Sequence, residues 1–139
     1  MSLSDMTYND SNNTLYDSVF GIHSASSKIF LYTEQGEVSY ASFTALTNQI
    51  ANALTVAGLV AGDRVAVQAR KSVMQLALYA ATVKAGGVYL PLNTSYTAHE
   101  LDYFISNARA SIVIVDESVQ EAVSPIADAQ KATLLTLNA

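Results

Sequence analysis

The stretch "GLVAGDRVAVQARKSVMQLALYAATVKAGGVYLPLN", residues 58–93, decides the fold of this chain. Its apolar runs predict a strand at Arg64–Gln68, a helix over about Ser72–Ala85 and a second strand at Val88–Leu92. Gly86 and Gly87 lie between that helix and the second strand. A phosphate-binding loop has the opposite order, strand then glycine loop then helix, because the helix N-terminus must point at the anion. The glycine pair is therefore predicted to end the helix and to turn the chain into the strand.

The alternation of helices and strands continues through the rest of the chain. A helix is predicted at about Ala98–Ala108, a strand at Ser111–Val115, a helix at about Val119–Ala129 and a strand at Thr133–Leu137. Thr97 with Glu100 and Ser118 with Glu121 show the capping-box pattern at two helix starts. A β-α-β-α-β-α-β order with short links is typical of an α/β fold that has a mostly parallel sheet, right-handed crossovers and flanking helices.

Before residue 58 the sequence predicts a tail, a hairpin and a helix instead of the regular alternation of strands and helices. Residues 1–14 are polar and are expected to form a tail without chemistry, and residues 15–139 form one domain. Two short apolar runs around Gln35-Gly36 predict a hairpin. An amphipathic helix should follow from the cap Ser39 to Gly58. Its predicted inward positions are Phe43, Leu46, Ile50, Ala53, Leu54 and Ala57.

The composition excludes several classes of protein. The net charge of −5 argues against a nucleic-acid partner, and the lack of cysteine excludes disulfides and thiolate metal sites. The best apolar run, Val73–Val83, is far short of the roughly 20 residues that a membrane-spanning helix needs. No signal peptide is visible, so the cytoplasm is the expected location. Half of the residues are hydrophobic, which predicts faces that more protein covers.

Ligands of such sheets bind at the strand-to-helix turns on the carboxyl side of the strands. The first turn carries Arg70 and Lys71 before the helix cap Ser72, and two basic residues there favour a solvated rim over an anion site. In the second turn, Asn93, Thr94, Ser95 and Tyr96 precede the cap Thr97, and such side chains most often serve turns and caps. Asp116 in the third turn is likewise predicted to serve a turn or a cap.

The remaining candidates for chemistry are weaker. His23 and His99 stand without a partner at metal-ligand spacing, and the serines match no G-x-S-x-G pattern. From the residues alone we predict no catalytic, cofactor-binding or metal-binding residue in this chain.

Three stretches together resemble the adenylate-forming, or AMP-binding, superfamily. "VSYASFTALTNQIANAL" (38–54) resembles its opening motif, although Ser42-Phe43 stands where Glu-Leu is usual. Residues 58–93 resemble the next segment, a G-x-x-x-G-D-x-V turn followed by K-A-G-x-x-Y-x-P-L/I. "TSYTAHELDYFISNARASIVIVD" (94–116) resembles the T-x-x-E-L-x-Y segment that comes after it. Within the superfamily, residues 88–105 look most like acyl-CoA synthetases of the malonyl-CoA synthetase type.

The resemblance implies a ligase that uses ATP, Mg²⁺ and coenzyme A. A carboxylate attacks the α-phosphate of ATP to give an acyl-adenylate and pyrophosphate, and the thiol of coenzyme A then displaces AMP. The family's phosphate loop, adenine motif, ribose-binding aspartate and catalytic lysine lie downstream of the stretch that resembles it. The resemblance therefore implies that residues 15–139 are the first part of the large N-terminal domain, truncated before the phosphate loop. The 139-residue chain by itself is expected to be inactive.

Two alternatives stay open. The chain could be a stand-alone protein-interaction module with the same fold, or part of another adenylating enzyme, such as an aryl-CoA ligase or an amino-acid-adenylating domain. The expected partners are the remainder of the parent enzyme and a small carboxylic acid, malonate in the leading interpretation, and neither nucleic acid nor a membrane. Self-association through exposed apolar faces is expected in either case.

Overall fold

The computed structural model describes residues 13–138, and it forms a three-layer α/β domain. The chain begins with helix α1 (Thr14–Val19) and a 3₁₀ turn (Gly21–His23), followed by the hairpin strands β1 (Ile29–Thr33) and β2 (Gly36–Ser39). The elements that follow are α2 (Tyr40–Val56), β3 (Arg64–Gln68), α3 (Val73–Lys84), β4 (Val88–Pro91), α4 (Ala98–Ala108), β5 (Ile112–Asp116), a 3₁₀ turn (Glu117–Val119), α5 (Gln120–Ala129) and β6 (Thr133–Leu137).

The main sheet has four parallel strands in the order β4-β3-β5-β6. The predicted α/β class and mostly parallel sheet with flanking helices are therefore confirmed. Because β3 and β5 are central, their side chains are buried on both faces, as continuous apolar strands of parallel sheets are. The hairpin pairs β1 with β2 in the antiparallel sense and forms a separate small sheet.

Two apolar layers cover the two faces of the main sheet. Residues of α2 and α3, including Leu54 and Leu78, pack on Val65, Val67 and Ile112. On the opposite face, α4 and α5 pack on the alternate side chains of the same strands. A third cluster joins α1, the hairpin and the outer side of α3, and its rings are Tyr16, Phe20, Phe30, Phe43 and Tyr79.

The corner at Gly86 and Gly87 has the predicted structural role. The N–H of Gly86 donates to the carbonyl of Val83 at 3.0 Å, and the N–H of Gly87 donates to the carbonyl of Thr82 at 2.9 Å. These two bonds form a Schellman motif, which requires a left-handed residue just after the helix, and Gly86 has φ +81°. The carbonyl of Gly86 also accepts from the N–H of Gly62, which fixes the turn before β3 against this corner.

Three details of the sequence analysis differ from the structure. Ser118 forms no capping box with Glu121, because β5 runs on to Asp116 and a 3₁₀ turn carries the chain to α5, whose cap Val119 has no side-chain bond. Ala53 was predicted to face inward but is exposed, since the buried stripe of α2 passes through the polar residue Thr47 instead. Helix α1, which the side chain of Asn13 caps, was not predicted. Residues 1–12 of the predicted polar tail lie outside the described residues.

Candidate binding groove at the carboxyl edge of the sheet

The strand order creates a switch point between β3 and β5. From β3 the chain crosses to β4 on one side, whereas from β5 it crosses to β6 on the other side. The connections therefore diverge at the carboxyl ends of β3 and β5, which is where ligands bind in open α/β sheets. A groove of about 460 Å³ lies at this edge. Its lining residues are Arg70, Asp116, Glu117, Ser118, Leu137 and Asn138.

Arg70 and Asp116 connect the two central turns across this groove. Oδ2 of Asp116 accepts from the Nε of Arg70 at 3.0 Å and from its backbone N–H at 3.2 Å. The Asp116 side chain is only 13% exposed, whereas that of Arg70 is 77% exposed. Because Arg70 is exposed, its ion pair with Asp116 contributes little to stability. The hydrogen bond from the backbone N–H of Arg70 to Asp116 is therefore the contact that holds this turn in place. Arg70 lies on a solvated rim as predicted, but Asp116 bridges two turns rather than capping its own.

Gln68, at the carboxyl end of β3, connects that strand to the turn after β4. Its Nε2 donates to the carbonyls of Asn93 at 2.9 Å and Tyr96 at 3.4 Å, and the residue is only 4% exposed. Its Oε1 is buried and accepts no hydrogen bond from the described residues. Sequence alone does not predict this contact, because a glutamine at the end of an apolar strand carries no signal for a partner 25 residues away.

The hydroxyl-rich turn after β4 is occupied by its own hydrogen bonds. Oδ1 of Asn93 accepts from the backbone N–H and the hydroxyl of Ser95, both at 2.9 Å. The predicted capping box at Thr97 is confirmed: the carboxylate of Glu100 accepts from the N–H of Thr97 at 2.8 Å. That bond and the Thr97 hydroxyl lower the pKa of Glu100. These side chains therefore serve the turn and the helix cap, as predicted.

A second cavity of about 650 Å³ is lined mostly by residues of α4. Tyr96 and Phe104 stack there with their ring centroids 4.9 Å apart, and His99 lies on its rim. His23 stacks instead on Tyr40, with centroids 4.7 Å apart, so the structure does not bring the two histidines into one site.

The chemistry of both cavities is limited. Among residues 13–138, no three His, Asp or Glu side chains converge as a metal site would require. The groove holds one arginine, which Asp116 already pairs with, and the carboxylate of Glu117. These residues do not fit a Mg²⁺ site, because Arg70 already pairs with Asp116 and Glu117 is the one other carboxylate among the lining residues. That this stretch contributes no catalytic, cofactor-binding or metal-binding residue stays a prediction.

The described residues thus form an open-sheet α/β domain with a groove at the switch point of its parallel sheet. The profile of the AMP-binding enzyme family matches residues 22–138. The chain therefore belongs to the AMP-binding, adenylate-forming enzymes, as the motifs at 38–54, 58–93 and 94–116 indicated.

Known proteins place this chain within the family. The apo and ATP-bound crystal structures of MatB from Rhodopseudomonas palustris match 91% of the chain with a TM-score of 0.86 and 47% identity. Phenylacetyl-CoA ligase epaB of Aspergillus niger is 34% identical over 66% of the chain. Tyrocidine synthase 1 of Brevibacillus parabrevis is 27% identical over 71% of it. The chain spans only 25%, 17% and 9% of these three proteins. No helix among the described residues is long and apolar enough to cross a membrane.

Proposed function

We propose that this chain is the N-terminal portion of an ATP-dependent acyl-CoA synthetase of the malonyl-CoA synthetase type. The observation that carries the proposal is the 47% identity to MatB, a malonyl-CoA synthetase, along 91% of the chain. The identity to the phenylacetyl-CoA ligase is 34% over a shorter match, so the malonate-type interpretation is favoured over the aryl-CoA interpretation. The peptide synthases of Brevibacillus parabrevis match at 27–35% identity, about as well as the phenylacetyl-CoA ligase, so the amino-acid-adenylating alternative also has less support than the malonate-type interpretation.

The proposed reaction has two displacements. A carboxylate oxygen of the acid attacks the α-phosphorus of ATP, and the P–O bond to pyrophosphate breaks. The sulfur of coenzyme A then attacks the acyl carbonyl, its proton is released, and AMP leaves. Both steps move negative charge between phosphate and carbonyl oxygens, so they require several donors or cations around those oxygens.

Residues 13–138 provide the packed support for this chemistry rather than the chemistry itself. The only cation at the carboxyl-edge groove is Arg70, and Asp116 already binds it. One arginine at an open groove cannot balance a triphosphate. We therefore expect the 139-residue chain alone to form no AMP from ATP, malonate and coenzyme A. Detection of acid-dependent AMP formation by the purified chain would contradict this expectation.

The experiment that tests the enzyme assignment is an exchange of segments. Residues 22–138 of this chain would replace the corresponding segment of MatB, and the chimera would be assayed for AMP and acyl-CoA with malonate, phenylacetate and amino acids. We expect a folded chimera that forms malonyl-CoA, because this chain matches MatB with a TM-score of 0.86 and 47% identity over 91% of its length. A matched control carries the corresponding segment of phenylacetyl-CoA ligase epaB in the same MatB background. A folded chimera that binds ATP but activates no acid would refute the proposal.

A further inference from the structure

The two strands beside the switch point each end in a buried polar side chain. Strand β3 ends at Gln68 and strand β5 ends at Asp116. Central strands of parallel sheets are usually apolar throughout, and a polar group is costly to bury. Packing of the core therefore does not explain why polar residues occupy these two positions.

Each of these side chains bonds to the main chain of a turn that follows a different strand. Nε2 of Gln68 donates to the carbonyls of Asn93 and Tyr96 in the turn after β4, whereas Oδ2 of Asp116 accepts from the backbone N–H of Arg70 in the turn after β3. Residues 68–70 are therefore held from both sides, by the turn after β4 and by the end of β5. The two side chains together fix the carboxyl edge of three strands in one arrangement.

The orientation of the Gln68 amide follows from its partners. Both partners are carbonyl oxygens, which only accept hydrogen bonds, so the amide nitrogen must face them and Oε1 must point away. Oε1 is buried and has no donor among residues 13–138. The described residues themselves enclose this atom, so it does not belong to an open surface that a further part of a longer protein would cover.

Gln68 contributes little to the stability of the fold. The turn that it binds is exposed at Asn93, Thr94 and Ser95, and at such a turn water replaces a protein donor at small cost. Burial of the amide and the unpaired Oε1 both oppose folding. A residue that costs stability but fixes the geometry of a ligand-binding edge is typical of functional sites.

We propose that Gln68 is a positioning residue for the activation of the acid. Its amide holds residues 93–96 against the end of β3 and thereby keeps the carboxyl edge of the sheet in the arrangement that binds the substrates. This inference rests on the proposed function. Gln68 is buried and acts through the turn rather than on a substrate. A displacement of about 1 Å at a substrate-binding edge is enough to lower a rate by up to about 100-fold.

Hydrogen exchange of the whole 139-residue chain tests the hold on the turn. Gln68→Met keeps the length of the side chain and removes its donor. The matched control Thr82→Val removes a buried hydroxyl that donates to the carbonyl of Leu78 at 2.8 Å, near the amino edge of the sheet. The N–H of Tyr96 donates to the carbonyl of Asn93 at 3.1 Å. We expect this N–H to exchange about three- to tenfold faster in the Gln68→Met variant and at the wild-type rate in the control.

Urea denaturation of the same variants separates positioning from support of the fold. We expect Gln68→Met to shift the urea midpoint by less than about 0.5 M, because the two lost bonds and the removed Oε1 offset each other. Unchanged exchange at Tyr96 would overturn the proposal. A Gln68→Met chain that does not fold would also overturn it, since Gln68 would then be a residue that supports the whole domain.

Kinetics of the MatB chimera that carries residues 22–138 give the decisive readout. We expect Gln68→Met to lower kcat/KM for malonate about tenfold, and Thr82→Val to leave it within about twofold of the unsubstituted chimera. Equal losses in both variants would indicate a general effect of packing and would overturn the proposal. Full activity of Gln68→Met in an active chimera would overturn this inference alone. An unsubstituted chimera that activates no acid would refute the proposed function and this inference with it.

Discussion

The strongest test of the fold concerns Gly86, at the corner between α3 and β4. Gly86→Ala places a Cβ on a residue with φ +81°, a conformation that costs an L-residue about 1–2 kcal/mol. That Cβ would also lie 3.2 Å from the Cβ of Ala61, which is tighter than an ordinary contact. We add a few tenths of a kcal/mol for this crowding and expect a total loss of roughly 1.5–2.5 kcal/mol in the free energy of unfolding.

Urea denaturation of the 139-residue chain at 25 °C measures this loss, and a thermal melt should show a midpoint lower by roughly 5–10 °C. Gly86→Asn is the matched control, because asparagine meets Ala61 with the same Cβ but tolerates the left-handed conformation better. We expect the Asn variant to recover a measurable part of the loss. If Ala and Asn are equally destabilising, crowding rather than backbone conformation dominates, and the argument from the Schellman motif is wrong.

Three further predictions concern the caps and the groove. Asp116→Ala should lower the free energy of unfolding by about 1–2 kcal/mol, because it leaves the backbone N–H of Arg70 without its acceptor. Arg70→Ala removes only an exposed side chain and should lower it by less than about 0.5 kcal/mol in the same urea titration. Arg109→Gly should stabilise the chain by up to about 1 kcal/mol, since Arg109 has φ 51° just after α4; an unchanged melting midpoint would contradict the strain argument. The hydrogen bonds from Thr97 lower the pKa of Glu100 in the folded chain. The ionised Glu100 therefore stabilises the fold fully above the ordinary glutamate pKa, and this stabilisation is lost as the pH falls through the lowered pKa of the folded state. Thermal melts of wild type and Glu100→Gln should therefore differ at neutral pH and converge as the pH falls below the lowered pKa of Glu100, and a constant difference would exclude this linkage.

The sequence predicted those features of the strand-to-helix turns that depend on local chemistry. The cap at Thr97, the turn bonds of Asn93 and the exposed position of Arg70 each depend on residues within a few positions of one another. Side chains that meet only after folding were not predictable. The bond from Gln68 to Asn93 and the bridge from Asp116 to Arg70 join turns that are 25 and 46 residues apart.

Local signals in the sequence thus determined which secondary-structure elements form and in what order. The spacing of apolar residues, the helix caps and the glycine corner each act within a single turn or strand. The motifs at 38–54, 58–93 and 94–116 determined the family in the same local way. Only the tertiary structure decided the strand order β4-β3-β5-β6, which creates the switch point between β3 and β5. The physical reason is that a crossover helix can place its next strand on either side of the sheet. The choice depends on packing between apolar faces that are far apart in the sequence.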